Sequence, residues 1–256
     1  MIADLTPAKL AKYFDQTLLK AYASDADLAA FCQESAEYHF KMVAINSAPV
    51  KKCKAFLQDS DVLVGAAIGF PLGQTTIEDK VFETERAIAE GADEIDYVIN
   101  IGELKSGNLA YVEQEMREIV AVCRANGKTV KVIFENCYLT DEEKRTLCRI
   151  ALKVRPDFIK TSTGFGTPAP GVAVGATVED VRLMKEMVGD EIKVKAAGGI
   201  RTLQDALAMI EAGAERIGTS AGVRILEELK ALSRKYDIDN INAKLYELGL
   251  PRLGTK

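Results

Sequence analysis

Along the chain, short apolar runs alternate with longer stretches in which apolar residues recur every three or four positions, the pattern of strands interleaved with helices. The runs at residues 13–18, 41–45, 62–68, 94–99, 129–134, 157–161, 192–197 and 215–219 are too short for helices and read as strands. Several, 62–68 above all, are apolar on both faces, as strands are when a parallel sheet is covered by helices. Helix starts follow from a hydroxyl residue with an acid three positions on: Ser24 with Asp27, Thr75 with Glu78, Thr140 with Glu143, Thr177 with Asp180 and Thr202 with Asp205. Thr6-Pro7 opens a short helix to about residue 12, Asn46 to Pro49 caps one through Phe56, and Asn108 starts one that stops at Asn126-Gly127. An amphipathic segment at 223–232 and a final helix near 242–248 end the chain.

Eight strands alternating with helices fit either a closed barrel or an open doubly wound sheet. Eight is the number that closes, and glycine loops follow strands seven and eight. The expectation is therefore α/β, a (β/α)8 TIM barrel with a short N-terminal helix, as a single domain over residues 1–256. With 48% hydrophobic residues in 256, a chain of this length has enough apolar surface for that core.

Charge narrows the partners. The net charge is −5 and the basic residues are interspersed with acidic ones, so no nucleic-acid partner is expected. No apolar stretch is long enough to span a bilayer and the N-terminus lacks a signal-peptide pattern, so no membrane partner and a cytoplasmic location are expected. A homo-oligomer, with a dimer favoured, rests on base rates alone. Cys32, Cys53, Cys123, Cys137 and Cys148 are scattered without a C-x-x-C pair, and His39 is the only histidine. Neither a disulfide framework nor a zinc site is indicated, which leaves lysines and carboxylates to carry any chemistry.

One such lysine ends the run Asp157-Phe158-Ile159-Lys160 and opens into Thr161-Ser162-Thr163-Gly164; another, Lys195, stands just before Gly198-Gly199. On adjacent barrel strands the two project into the same space. A free lysine titrates near 10.4, and a second ammonium beside it lowers that by roughly 2 to 3 units, as burial also can. The neutral amine then condenses with a carbonyl to give an iminium, an electron sink for making or breaking the neighbouring carbon–carbon bond. Asp96, on one strand face with Glu94, either neutralises the lysines or moves protons for them, and two lysines beside it weigh toward the second. Asp15, Thr17, Lys131, Glu135 and Arg201 read as a supporting polar network, and Lys193 as a salt-bridge partner of Glu94 lower in the barrel. Gly164, Gly198, Gly199, Gly218 and Ser220 lie where barrels bind phosphate through backbone N–H groups, so a small phosphorylated carbonyl substrate is expected.

The motifs Phe14-Asp15-Gln16-Thr17-Leu18-Leu19-Lys20, Gly69-Phe70-Pro71-Leu72-Gly73, Gly91-Ala92-Asp93-Glu94-Ile95-Asp96, Asp157 to Gly164 and Lys195-Ala196-Ala197-Gly198-Gly199-Ile200-Arg201 span nearly the whole chain. Together they resemble the 2-deoxyribose-5-phosphate aldolase family of class I aldolases. The resemblance implies a barrel, Lys160 as the Schiff-base lysine, Lys195 as the lysine that tunes it, Asp96 as the proton donor or acceptor, and no cofactor. It also implies reversible cleavage of 2-deoxyribose 5-phosphate, in deoxyribose phosphate catabolism, to glyceraldehyde 3-phosphate and acetaldehyde. Gln16 and Asn46 depart from the histidine and cysteine common in similar proteins. Two other readings stay open: a Schiff-base aldolase for a different phosphorylated sugar, and a phosphosugar-binding barrel without turnover.

Overall fold

The computed structural model describes residues 5–235 together with Glu247. Eight strands, β1 (Phe14–Leu18), β2 (Met42–Asn46), β3 (Leu63–Ile68), β4 (Glu94–Val98), β5 (Thr129–Ile133), β6 (Phe158–Lys160), β7 (Lys193–Ala197) and β8 (Arg216–Thr219), pair in sequence order. Every pairing is parallel, and β8 closes on β1, so the sheet is the expected barrel rather than an open one. Around it run α1 (Pro7–Ala11), α2 (Asp25–Glu37), α3 (Val50–Phe56), α4 (Ile77–Ala89), α5 (Ile101–Lys105), α6 (Leu109–Ala125), α7 (Asp141–Val154), α8 (Val178–Val188), α9 (Leu203–Glu211) and α10 (Gly222–Lys235). The helix expected at 242–248 lies, but for Glu247, outside the described residues. No helix among the described residues is long and apolar enough to cross a membrane.

Alternation along each strand separates two environments. Outward residues such as Val43, Ile45, Val64, Ile95, Val132, Ile159, Val194 and Ile217 are fully buried beneath the helices. Each such side chain contributes about 1.5–3 kcal/mol of burial, and this annulus is what holds the barrel closed. The inward face is different: Asp15, Glu94, Asp96, Lys131, Lys160, Lys195 and Arg216 are all buried within it. At its floor Met42 crosses beside Gly65, where an added Cβ would lie 2.3 Å from the sulfur.

Local signals set most helix starts. Ser24, Thr140 and Thr202 form capping boxes with Asp27, Glu143 and Asp205, and Thr177 accepts from the Asp180 N–H. The start of α4 falls one residue later than expected, because Thr76 rather than Thr75 accepts from the backbone, at Asp79. No side chain caps α3, which begins directly after Pro49. The one-turn α5, capped by Asn100, and a 3-10 turn at Asn136–Tyr138 went unseen in the sequence, since a single turn has too few residues to show a period.

Candidate active site

The register of the barrel decides which side chains meet. Lys160 pairs in the ladder with Lys195 across β6 and β7, and Asp96 pairs with Lys131 across β4 and β5. All four point inward and are buried. Asp96 is the hub: its Oδ2 accepts from Lys160 Nζ at 2.8 Å and from Lys195 Nζ at 2.7 Å, while its Oδ1 accepts from Lys131 Nζ at 2.7 Å. Sharing one oxygen, the two lysine nitrogens lie within two hydrogen-bond lengths of each other. Below them, Lys195 Nζ is 2.5 Å from Asp15 Oδ2 and Lys131 Nζ is 2.5 Å from Glu94 Oε2. Arg216 then ties Asp15 to Glu94, donating to both.

Among the described residues of this network four cations, Lys131, Lys160, Lys195 and Arg216, face three carboxylates, Asp15, Glu94 and Asp96. The interior therefore carries one positive charge too many when all are ionised, and a low-dielectric interior disfavours that. Lys160 is the group that yields. Burial first, and the charges of Lys195 and Lys131 after it, push its amine down to about 8 against the pull of Asp96. Burial thus outranks the neighbouring ammonium as the cause. Lys131 moves the other way: burial opposes its charge, but Asp96 and Glu94 outweigh burial and raise it. For Asp96 burial is likewise overcome, by Lys131, Lys160 and Lys195, which hold the carboxyl well below its usual range.

Not every expected member of the network joins it. Thr17 reaches only the backbone carbonyl of Asp15, and Arg201 is exposed beyond β7, outside the barrel interior. Lys193 is exposed and lies over the Phe158 ring at 5.6 Å, so Glu94 pairs with Lys131 and Arg216 instead. Glu135 lies past the end of β5, in a left-handed conformation, and accepts from the Thr163 N–H and hydroxyl. Gly164, Gly198 and Gly199 have φ values of 85°, 82° and 79° on the loops after β6 and β7, which favours glycine at each. Gly218 sits within β8, where a Cβ would stand 3.3 Å from Lys195 Cε, so its smallness makes room for the lysine stem. Ser220 is exposed just past the end of β8.

With this geometry in place, comparison with known proteins is decisive. The model of the DeoC/LacD family aldolases matches residues 9–228. This chain belongs to that family. Similar aldolases include the deoxyribose-phosphate aldolase of Lactobacillus acidophilus, 55% identical over 90% of this chain and 95% of its own. That of Thermococcus gammatolerans is 54% identical over 85% of this chain and 95% of its own. Among solved structures, the deoxyribose phosphate aldolase of Aeropyrum pernix, described as a unique tetramer, superposes with a TM-score of 0.80 at 31% identity, over 89% of this chain and 93% of that one.

Read as an aldolase, the barrel adds residues that the strand pattern alone did not single out. Arg216 was invisible as an interior cation, although its period-two spacing from Gly218 on β8 carried the signal. Lys131, expected in the supporting network, joins it by donating to Asp96 Oδ1. Gly175 was also missed: a Cβ there would meet Gly198 O at 2.2 Å, so the loops after β6 and β7 pack backbone against backbone. Among the described residues no group of three or more His, Cys, Asp or Glu side chains is placed to hold a metal ion.

Proposed function

We propose that this aldolase reversibly cleaves 2-deoxyribose 5-phosphate to glyceraldehyde 3-phosphate and acetaldehyde through an iminium on Lys160. One observation carries the reading: Lys160 and Lys195 converge on a single oxygen of Asp96, and Lys160 is the amine lowered to about 8. The curated relatives named for that activity, at 54–55% identity over most of both chains, support the choice of substrate.

In the cleavage direction the neutral Lys160 amine adds to the C1 aldehyde of the open-chain sugar, and loss of water gives the iminium. The C3 hydroxyl then loses its proton and the C2–C3 electron pair moves into the iminium, releasing glyceraldehyde 3-phosphate and leaving an enamine. Protonation at C2 restores an iminium, and water releases acetaldehyde and the free amine. Asp96 lies within hydrogen-bond reach of Lys160, which suits it to hold and return protons during these steps. Lys195 has the role of keeping a positive charge beside Lys160, so that the latter is the member left neutral. Backbone N–H groups around Gly164, Gly198, Gly199 and Ser220 suit the phosphate.

Acetaldehyde with borohydride is expected to leave an ethyl group on Lys160, located by peptide mass spectrometry, and the free enzyme to release triose phosphate in a coupled dehydrogenase assay. An unmodified Lys160 refutes the mechanism; no triose phosphate refutes the substrate. A homo-oligomer, with a dimer favoured, and a cytoplasmic location are part of the same proposal; the tetrameric relative supports assembly, and light scattering of the purified protein measures it.

A further inference from the structure

Two loops on opposite sides of the barrel mouth lean toward each other. The loop after β3 rests on the end of β4: a Cβ at Gly73 would stand 2.1 Å from Ile99 O, and Gln74 donates to Asn100 at 3.2 Å. The loop after β6 rests on the connection after β5. There Thr163 is held by Glu135, a Cβ at Gly166 would meet Cys137 Sγ at 2.5 Å, and the Thr167 N–H donates to Tyr138 Oη at 2.7 Å. Where the loops converge, the rings of Phe70 and Phe165 meet edge to face, with centroids 5.5 Å apart and planes at 83°. Such pairs are preferred geometries and add to simple burial.

The strands that carry these rings stand three places apart in the barrel. Strands about 4.8 Å apart and tilted about 36° give a ring in which that separation is a chord of roughly 14 Å, the span that two phenylalanines in contact bridge. Beneath the chord run β4 and β5, which carry Asp96 and Lys131 midway along their lengths. The backbone is anchored next to Phe70 and at Phe165 itself. Glu83 accepts from the Gly69 N–H at 2.8 Å, and Thr163 Oγ1 accepts from the Phe165 N–H at 2.9 Å. Phe165 nonetheless stays 50% exposed, a large apolar side chain left at the mouth rather than drawn into the core.

We propose that Phe70 and Phe165 form an aromatic clasp across the β3–β6 side of the mouth that limits the size of the aldehyde admitted beside Asp96, and so determines specificity. This rests on the aldolase reading above. With that side closed, the opening that remains faces β7, β8, β1 and β2, and the glycine loops and Ser220 lie along it. A phosphate bound there directs the rest of the substrate inward beneath the clasp, whereas an acceptor with a bulky apolar group collides with the rings.

The test measures addition of acetaldehyde to two acceptors, glyceraldehyde 3-phosphate and a bulky aryl acetaldehyde, for the wild type, Phe165→Ala, Phe70→Ala and the double variant. Opening the clasp is expected to raise the ratio of kcat/KM for the bulky over the small acceptor by about tenfold or more, the scale on which apolar pockets discriminate size. The double variant is expected to gain little beyond either single one, because each alone breaks the ring contact. Phe165→Leu and Phe70→Leu, which keep apolar bulk, serve where an alanine variant does not fold, with a smaller rise in the same direction. An unchanged ratio in folded variants, with an active wild type, overturns the clasp alone. A wild type without aldol turnover overturns the aldolase reading and the clasp with it.

Discussion

At the scale of the residue, the candidate chemistry depends on which of several buried charges is given up. Lys160 must lose a proton before it attacks, and burial followed by Lys195 and Lys131 sets that loss at about 8. The amine therefore becomes available as pH rises, and kcat/KM is expected to climb through a limb near 8, measured by initial rates across pH. Replacing Lys195 by Leu removes a cation from Asp15 and Asp96 and leaves both carboxylates to draw charge onto Lys160. The limb is then expected to move upward, with a loss of about tenfold at neutral pH for each unit of movement and partial recovery in alkaline buffer. A limb that stays in place shows that Lys195 acts otherwise. Asp96 has the opposite sign. Its folded value lies well below the unfolded one, so the stability it contributes is present above the unfolded carboxylate range and disappears as acid protonates the folded hub.

At the scale of the element, strand ends and loops do what single residues cannot. β6 has only three ladder residues, yet it sets Lys160 level with Lys195 because parallel pairing fixes the register on both sides. The loop that follows is seated by its neighbours. Gly164, Gly175 and Gly198 touch through their backbones, and the Ala176 N–H reaches the carbonyls of Ala197 and Gly198 at 3.0 and 3.1 Å. A methyl group at Gly175 has no room beside Gly198 O, so Gly175→Ala is expected to pry these loops apart. Apparent KM for the phosphorylated substrate is expected to rise severalfold, with little change for an unphosphorylated aldehyde of the same length. Equal losses on both substrates show that the loops do not serve the phosphate.

For the whole molecule, closure of the barrel creates two interiors with different demands. The outer annulus is largely apolar, yet Lys80 and Glu115 meet in it, at 2.5 Å and fully buried, between α4 and α6. Lys80 also donates to Val98 O at 2.8 Å and Glu115 accepts from the Asn100 N–H at 2.9 Å, so the pair holds the outgoing end of β4. Burial pushes the lysine down and the glutamate up, and the opposite charge of each partner works against that shift. Lys80→Met leaves an unpaired buried carboxylate and is expected to cost about 3–5 kcal/mol, measured by urea unfolding. Pairing it with Glu115→Leu is expected to recover part of that cost; a double variant as unstable as the sum of the two singles shows that the charges do not depend on each other.

The sequence alone determined the alternation of strands and helices, the strand count, most of the helix caps and the two lysines at strand ends, because each of these is encoded within a few neighbouring residues. Asp96 was legible for the same reason, as a carboxylate on an apolar strand. Tertiary structure alone decided that Arg216 belongs to the charge network and that Lys131 touches Asp96 within it, that Lys193 and Arg201 stay outside, and that burial more than a second ammonium lowers Lys160. It also brought Phe70 to Phe165 and Gly175 to Gly198 across long separations in the chain. Register and closure set those distances, and dielectric environment depends on everything packed around a group, which no local pattern of residues contains.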